Sequence, residues 1–320
     1  MTPAVSILLP LRNEARFLPA ALASLARQTL PDWELVAVDN GSSDATPALL
    51  AAAANRDRRI RIITLPAPGL VVALNTGLAA CRAPLVARMD GDDICHPERL
   101  ARQVACLNES LEVGLVACRV RHFPRPQLSD GMRTYEAWQN SSLDDAAIHR
   151  DLYIESPFTH PSVTFRRDLV VALGGYRDCG WAEDYDLWLR LAATGVRFAR
   201  LPETLFYWRD RPERLTRTAP AYSLEAFRRC KVHHLKNGFL RGVAEVTLWG
   251  VGVEGKAWQR ALREVGIGVT RWIEVDAGKI GQTIHGAPVV DYRQLRRGEG
   301  KILVTIGVPR ARTQVRDFFA

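Results

Sequence analysis

A chain of 320 residues, 47% hydrophobic and 24% charged, has an ordinary globular composition; disordered, collagenous and coiled-coil classes are excluded, and about two domains are expected. The six cysteines, at 81, 95, 106, 118, 179 and 230, contain no C-x-x-C pair, so buried or half-buried thiols are expected rather than a disulfide scaffold. The net charge of +8 is uneven: residues 1–220 hold 26 basic and 26 acidic side chains, while residues 221–320 hold 17 and 9 and all five lysines, so the first part gives no reason to bind nucleic acid.

In chain order, Val5–Leu9 is an apolar run ending at Pro10. Phe17, Leu18, Ala21, Leu22 and Leu25 then recur at helical spacing. Trp33–Val38 is a second strand, ending at Asp39, and Thr46–Asn55 an alanine-rich helix. Ile60–Leu65 reads as a third strand, Leu70–Cys81 as a helix and Leu85–Met89 as a fourth strand. Pro97 opens another helix, since proline suits a first helical turn, and Val113–Cys118 is a fifth strand. The uncharged stretch Ile62–Cys81 is long enough to span a bilayer, but Pro66, Pro68, Gly69, Asn75 and Gly77 make it strand, loop and helix. Pro3 and Pro10 interrupt the apolar start and no basic residues precede it, so no secretory leader is expected and the location expected is cytoplasmic. Residues 121–150, with Pro124, Pro126 and Gly131, read as irregular. Strands alternating with helices imply an α/β fold, mostly parallel, with helices on both faces.

Such sheets bind ligands beyond the carboxyl ends of their strands. Polar clusters occur at those places: Pro10-Leu11-Arg12-Asn13-Glu14, then Asp39-Asn40-Gly41-Ser42-Ser43-Asp44, then Asp90-Gly91-Asp92-Asp93. Three carboxylates in four residues are costly inside a protein without a cation. Magnesium and manganese take such oxygen ligands and bridge to phosphates. The competing reading is a solvated acidic turn. A second cluster, Glu183-Asp184-Tyr185-Asp186-Leu187-Trp188, opens an apolar helix; acids there suit the helix dipole, or one of them serves as a general base.

Taken together, these motifs resemble the family 2 glycosyltransferases with a GT-A fold. The residues that carry the resemblance are Pro10…Asn13-Glu14, Gln28-Thr29, Val38 to Thr46, Asn75-x-Gly77, Asp90-Gly91-Asp92-Asp93, Gly174-Gly175-Tyr176 and Glu183 to Trp188. They cover about two thirds of the chain. The resemblance implies inverting transfer of a single sugar from a nucleoside diphosphate sugar, uridine or thymidine in type, as in cell-surface polysaccharide synthesis. The acceptor would be a glycan, a lipid-linked glycan or a small molecule. It implies that Pro10 and Glu14 flank the nucleotide pocket, Asp39 meets the base, Asp90 lies near the ribose and diphosphate, Asp92 binds magnesium or manganese, and Asp184 is the base. His160 and Glu183 are candidates for the acceptor site. Two departures stand out. Asn40 replaces a usual aspartate. In Trp208-Arg209-Asp210-Arg211, Arg211 stands where a histidine is common; it cannot bind metal but can pair with phosphate.

Toward the C-terminus, a basic helical linker is expected over 221–245, with Arg228, Arg229, Lys231, Lys236 and Arg241 either solvated or weakly touching an anionic membrane at its inner face. Residues 246–320 then read as a small Rossmann-like unit. A strand at Val246–Trp249 leads into Gly250-Val251-Gly252-Val253-Glu254-Gly255, a G-x-G-x-x-G pattern before a helix at Lys256–Val265. Strands follow at Val269–Val275 and Ile302–Ile306. Two functions compete for Gly250, Gly252 and Gly255: a nucleotide loop, or close strand–helix packing. Glu254 at the helix entrance and the missing second half favour packing. A nicotinamide-dependent oxidoreductase and a non-catalytic nucleotide-sugar-binding protein remain the competing readings of the whole chain.

Overall fold

The computed structural model describes residues 2–296 and 298–319. The chain divides into two compact units, Met1–Tyr222 and Ser223–Ala320. In the first unit the elements are β1 (Val5–Leu11), α1 (Leu18–Ala26), β2 (Trp33–Asn40), α2 (Thr46–Arg56), β3 (Ile60–Leu65), α3 (Leu70–Ala80), β4 (Leu85–Arg88) and β5 (Ile94–Cys95). They continue through α4 (Arg99–Glu109), β6 (Val113–Phe123), α5 (Asp130–Ser141), α6 (Asp145–Asp151), β7 (Thr164–Arg166), α7 (Arg167–Ala172), α8 (Glu183–Ala193), β8 (Arg197–Arg209) and α9 (Leu215–Thr218).

Eight strands form one mixed sheet in the order β3-β2-β1-β4-β7-β6-β8-β5. The first four are mutually parallel; β7 runs antiparallel to both β4 and β6, and β8 is parallel to β6. Alternation along β1 decides which helices lie on which face. Val5, Ile7, Leu9 and Leu11 share a core with Leu18, Ala21 and Leu25 of α1, Leu50 of α2 and Leu100 and Leu107 of α4. Leu8 points the other way, to α3, and the approach is so close that a Cβ on Gly77 would lie 2.2 Å from Leu8 and 2.9 Å from Val38. β2 is buried along its whole length, as a strand covered on both faces must be.

The stretch 121–150 expected to be irregular holds the end of β6 and two helices. Ser129 and Asp144 cap α5 and α6, accepting from the backbone N–H of Met132 and Ala147. The long return strand β8 was not expected. Pro202 and Glu203 argue against a strand, but β8 bulges there: Cys118 pairs with Leu201, and Arg119 with Thr204. The two awkward residues therefore sit outside the ladder.

In the second unit, α10 (Leu224–Asn237) is followed by β9 (Glu245–Trp249), α11 (Val253–Glu264), β10 (Gly268–Glu274), β11 (Thr283–Ile284), β12 (Ala287–Asp291), β13 (Ile302–Val304) and α12 (Pro309–Phe319). The sheet runs β11-β12-β10-β9-β13, parallel except for β11. The expected linker over 221–245 is corrected: Ser223 caps α10, and Val232, Leu235 and Leu240 join Val246, Leu248, Leu262 and Trp272 in one core. The segment belongs to the second unit because it buries an apolar face there. None of the six cysteines is in a disulfide; four are buried and two half-buried. Among the described residues no helix is long and apolar enough to cross a membrane.

Candidate active site

The loops after β1 and β2 are laced together where the parallel strands end. Ser42 Oγ accepts from Asn13 N at 3.0 Å, Asn13 Oδ1 from Ser43 N at 2.8 Å, Thr46 Oγ1 from Glu14 N at 2.8 Å and Asp44 from Ala15 N at 3.0 Å. Asn13 and Gly41 hold positive φ to make these turns. Pro10 lies buried in β1, paired with Val38. Asp39 is buried and closes its own turn by accepting from Ser42 N at 3.1 Å. Asn40 accepts from Gly69 N at 2.7 Å, so the departure from aspartate leaves a residue that ties down the loop before α3.

At the end of β4, four carboxylates meet four guanidinium groups. Arg88, almost wholly buried, donates to Asp90 at 2.5 Å and to the Met89 carbonyl. Asp93 accepts from Arg209 N at 2.7 Å through one oxygen; its other oxygen is buried and unpartnered. Arg209 lies over Phe17 and Phe123, with ring centroids 4.3 and 4.4 Å away, and donates to the Asp92 carbonyl at 2.7 Å. Arg214 stacks on Trp208 at 3.6 Å. Arg211 donates to Glu14, and its Nε lies 3.0 Å from Asp92 Oδ2. Glu14 keeps a second, buried oxygen without a partner. Burial, with Asp92 close by, pushes the Glu14 carboxyl up to about 7. Burial and Asp90 raise Asp92, and burial with Asp92 raises Asp93 further. Gly91 lets this loop approach closely, since a Cβ on it would lie 3.0 Å from the Glu14 side chain.

The second carboxylate cluster forms around the start of α8. Glu183 is buried: Tyr222 donates to it at 2.7 Å and His160 Nδ1 lies 3.5 Å away. His160 Nε2 meets the Tyr176 hydroxyl at 3.0 Å. Burial and Arg88 lower the His160 pKa. Burial opposes ionisation of Glu183, but hydrogen bonding and charge from His160 outweigh it and leave its pKa below the usual carboxylate value. The adjacent Asp184 is half-buried. Burial first, and the Glu183 charge second, raise its pKa well above the usual value, although one oxygen accepts from Tyr185 N at 2.7 Å. Two neighbouring acids are thus driven apart, one held ionised and the other keeping its proton to higher pH.

The Asn75-x-Gly77 and Gly174-Gly175-Tyr176 motifs form one joint. Asn75 donates to Tyr176 O at 2.9 Å and accepts from Tyr176 N at 2.8 Å. Gly175 has φ +70°, and a Cβ on it would lie 2.4 Å from Asn75 Oδ1. Arg190, held by Asp186 at 2.7 Å, donates to Gly175 O at 2.8 Å. Asp186 is therefore an anchor for the helix that carries Asp184.

The structure brings Glu14, Asp90, Asp92 and Arg211 together, and groups His160 and Glu183 behind Asp184. His160 and Glu183, expected at the acceptor site, are both buried and lie 3.5 Å from each other. Sequence reasoning did not single out Arg88, Arg214 or Tyr222 as site residues. The first unit contains no lysine; an arginine beside each acid was the available signal.

In the second unit, Gly250 has φ +109° and a Cβ on Gly255 would lie 1.8 Å from Gly250 O. The third glycine is needed for α11 to approach β9. Gly252 caps α11 with no atoms within 4 Å of its notional Cβ. Glu254 is held by Arg228 at 2.9 Å, and Glu274 and Asp276 by Lys279 at 3.5 and 3.4 Å.

The family described as glycosyl transferase family 2 matches residues 6–174. The chain belongs to this family. Among its relatives, the amylovoran biosynthesis glycosyltransferase AmsE of Erwinia amylovora is 35% identical over 205 residues, covering 62% of this chain and 74% of that one. The O-antigen biosynthesis glycosyltransferase WbnJ of Escherichia coli is 28% identical over 224 residues, covering 68% and 84%. Among solved structures, S. aureus TarS 1–349 with UDP-GlcNAc superposes with a TM-score of 0.62 at 16% identity, covering 82% of this chain and 80% of that one. The mannosyltransferase PcManGT from Pyrobaculum calidifontis, with GDP-Man and Mn2+, gives 0.53 at 22% identity, covering 76% and 65%. This glycosyltransferase thus has a GT-A-like first unit.

Proposed function

We propose that the chain moves one sugar, with inversion, from a nucleoside diphosphate sugar to a hydroxyl of a glycan or lipid-linked acceptor. The observation that carries this reading is the separation of the acids into two sets, Glu14, Asp90 and Asp92 at the end of β4 and Asp184 at the start of α8, with buried Arg88 interacting electrostatically with both. Asp184 takes the proton of the acceptor hydroxyl, whose oxygen forms the new bond to the anomeric carbon. The bond from that carbon to the diphosphate breaks, and the leaving group departs with its electron pair. A base whose pKa burial has raised is matched to work near neutral pH.

The residues present fit a divalent cation. Magnesium or manganese sites use one or two carboxylates together with substrate phosphates. Asp92 and Asp90 would supply the carboxylates, and the unpartnered oxygens of Glu14 and Asp93 mark a surplus of acceptors. When bound, the ion would stabilise the charge gathering on the leaving diphosphate by several kcal/mol. Four guanidinium groups already face four carboxylates, so an incoming diphosphate calls for extra positive charge. Arg88 orients Asp90, and Arg209 holds the backbone of Asp92.

A uridine donor is favoured by TarS, whose structure holds UDP-GlcNAc, and by a relative named UDP-Gal:alpha-D-GlcNAc-diphosphoundecaprenol beta-1,3-galactosyltransferase, 28% identical over 207 residues. That name also favours a lipid-linked acceptor. The parallel strands of the second unit, counted in chain order, run 3-2-1-4, which supports the Rossmann-like reading of an accessory unit. Release of nucleoside diphosphate from a donor panel, with and without chelator, tests the proposal. Turnover of a nucleotide sugar only with magnesium or manganese is expected; full turnover in chelator would remove the metal role.

A further inference from the structure

We propose that Arg211 is a built-in counter-cation: it holds the metal position's carboxylates until a diphosphate draws it away, so that the divalent ion and the nucleotide bind as a linked pair. This rests on the donor reading above and adds to it the order in which the site is filled.

Arg211 follows β8 and reaches back to Glu14 and Asp92, the two acids that flank the diphosphate position. Its contacts differ from those of the neighbouring arginines. Arg209 is fixed by its backbone N–H to Asp93, by its Nε on a carbonyl and by two aromatic rings. Arg214 is fixed by the face of Trp208. Arg211 is held chiefly by two carboxylates, with its guanidinium carbon 5.5 Å from the Phe17 ring centroid, and about a quarter of its side chain remains exposed.

A guanidinium has no lone pair to offer a metal, and its positive charge beside Asp92 opposes a second cation there. A diphosphate presents several anionic oxygens in the forked geometry that arginine matches bidentately. Movement of Arg211 from carboxylate to phosphate frees Asp92 Oδ2 as the nucleotide arrives. Each ligand then strengthens the other by the same factor, as linkage requires. Removing the Arg211 charge should let the metal bind more readily without the nucleotide and should weaken the coupling to what direct phosphate–metal contact supplies.

The test is equilibrium Mn2+ binding to the full chain, followed by the electron paramagnetic resonance signal of the free ion, with Mn2+ alone and with Mn2+ plus UDP. In the wild type, UDP should tighten Mn2+ binding about tenfold or more, within the usual range for coupled sites. Arg211→Gln should bind Mn2+ alone about tenfold more tightly than the wild type, with UDP adding at least about threefold less tightening than it adds in the wild type. Arg211→Ala should behave alike; a thermal melt checks that each variant is folded. A fixed neighbouring charge would also raise Mn2+ affinity on removal, yet would leave the UDP-linked tightening unchanged. That result, or no gain in Mn2+ affinity in either folded variant, overturns the proposal. Lack of turnover with every donor in the panel, alongside intact Mn2+–UDP linkage, would instead remove the sugar-transfer reading and leave the Arg211 assignment standing.

Discussion

Both units end parallel strands in loops rich in glycine and acids, yet the two sets of loops do different things. In the first unit the acids are buried, in part unpartnered and shifted in pKa, as with Glu14, Asp93 and Asp184. In the second, Glu254, Glu274 and Asp276 are paired with Arg228 and Lys279 near the surface, and the glycines are used for packing. The same sheet-and-helix scaffold therefore supports chemistry in one place and a joint in the other. Site chemistry, rather than topology, separates them.

The strongest way to break this contrast is to remove acids from each unit. Asp184→Asn should lower turnover by about 10² to 10⁴ with little change in donor affinity. Glu274→Gln with Asp276→Asn should leave steady-state turnover unchanged. Equal losses in both would end the distinction. If Asp184 is the base, a pH dependence follows. Its raised pKa means that the ionised, proton-accepting form appears only above the ordinary carboxylate range, so kcat should rise with pH through that raised value. Glu183→Gln removes the neighbouring charge that helps raise it, so the limb should move to lower pH in a kcat–pH profile.

The glycines sharpen the comparison next. Gly175→Ala meets both a positive φ and the Asn75 side chain, and Gly255→Ala meets the Gly250 carbonyl. Each should cost about 1–3 kcal/mol. By calorimetry the first should lower the transition of the catalytic unit, and the second that of residues 223–320, with turnover lost only for the first. Gly252→Val, which meets open space at its Cβ, should change neither turnover nor the binding of a nicotinamide dinucleotide, of which none is expected.

A smaller effect concerns Glu34, buried beside β1. Burial opposes its ionisation, but Ser6 at 2.6 Å, Arg82 at 2.7 and 2.8 Å and Arg61 at 3.1 Å outweigh that and hold its pKa below the ordinary 4.5. Its stabilising contribution is complete above that ordinary value and is lost as pH falls through the lower folded one. Glu34→Gln should cost about 1–3 kcal/mol at neutral pH and flatten the acid limb of stability measured by denaturant titration. Smallest is a charge effect: any co-sedimentation with anionic vesicles through α10 should fall steeply between low and physiological salt.

Much of this architecture was legible from local pattern. The apolar runs at Val5, Trp33, Ile60 and Leu85 and the helical repeats between them appear within a few residues of their expected bounds, because each needs only its own periodicity and a turn to end it. The places of Asp90 and Asp92 after a strand and of Asp184 at a helix start were also legible, because acids at such ends are conspicuous in sequence. Tertiary structure decided the rest. β8 pairs across a bulge that local reading takes for a break. The basic segment at 224–237 is a core helix of the second unit, since its charges hide a buried Val232–Leu235 face. Arg211 meets Glu14, 197 residues away in the chain, and Asp92. Which of two adjacent acids is tied down depended on His160, Tyr176 and Tyr222. Burial and charge are properties of what surrounds a residue, and the surroundings here come from distant parts of the chain.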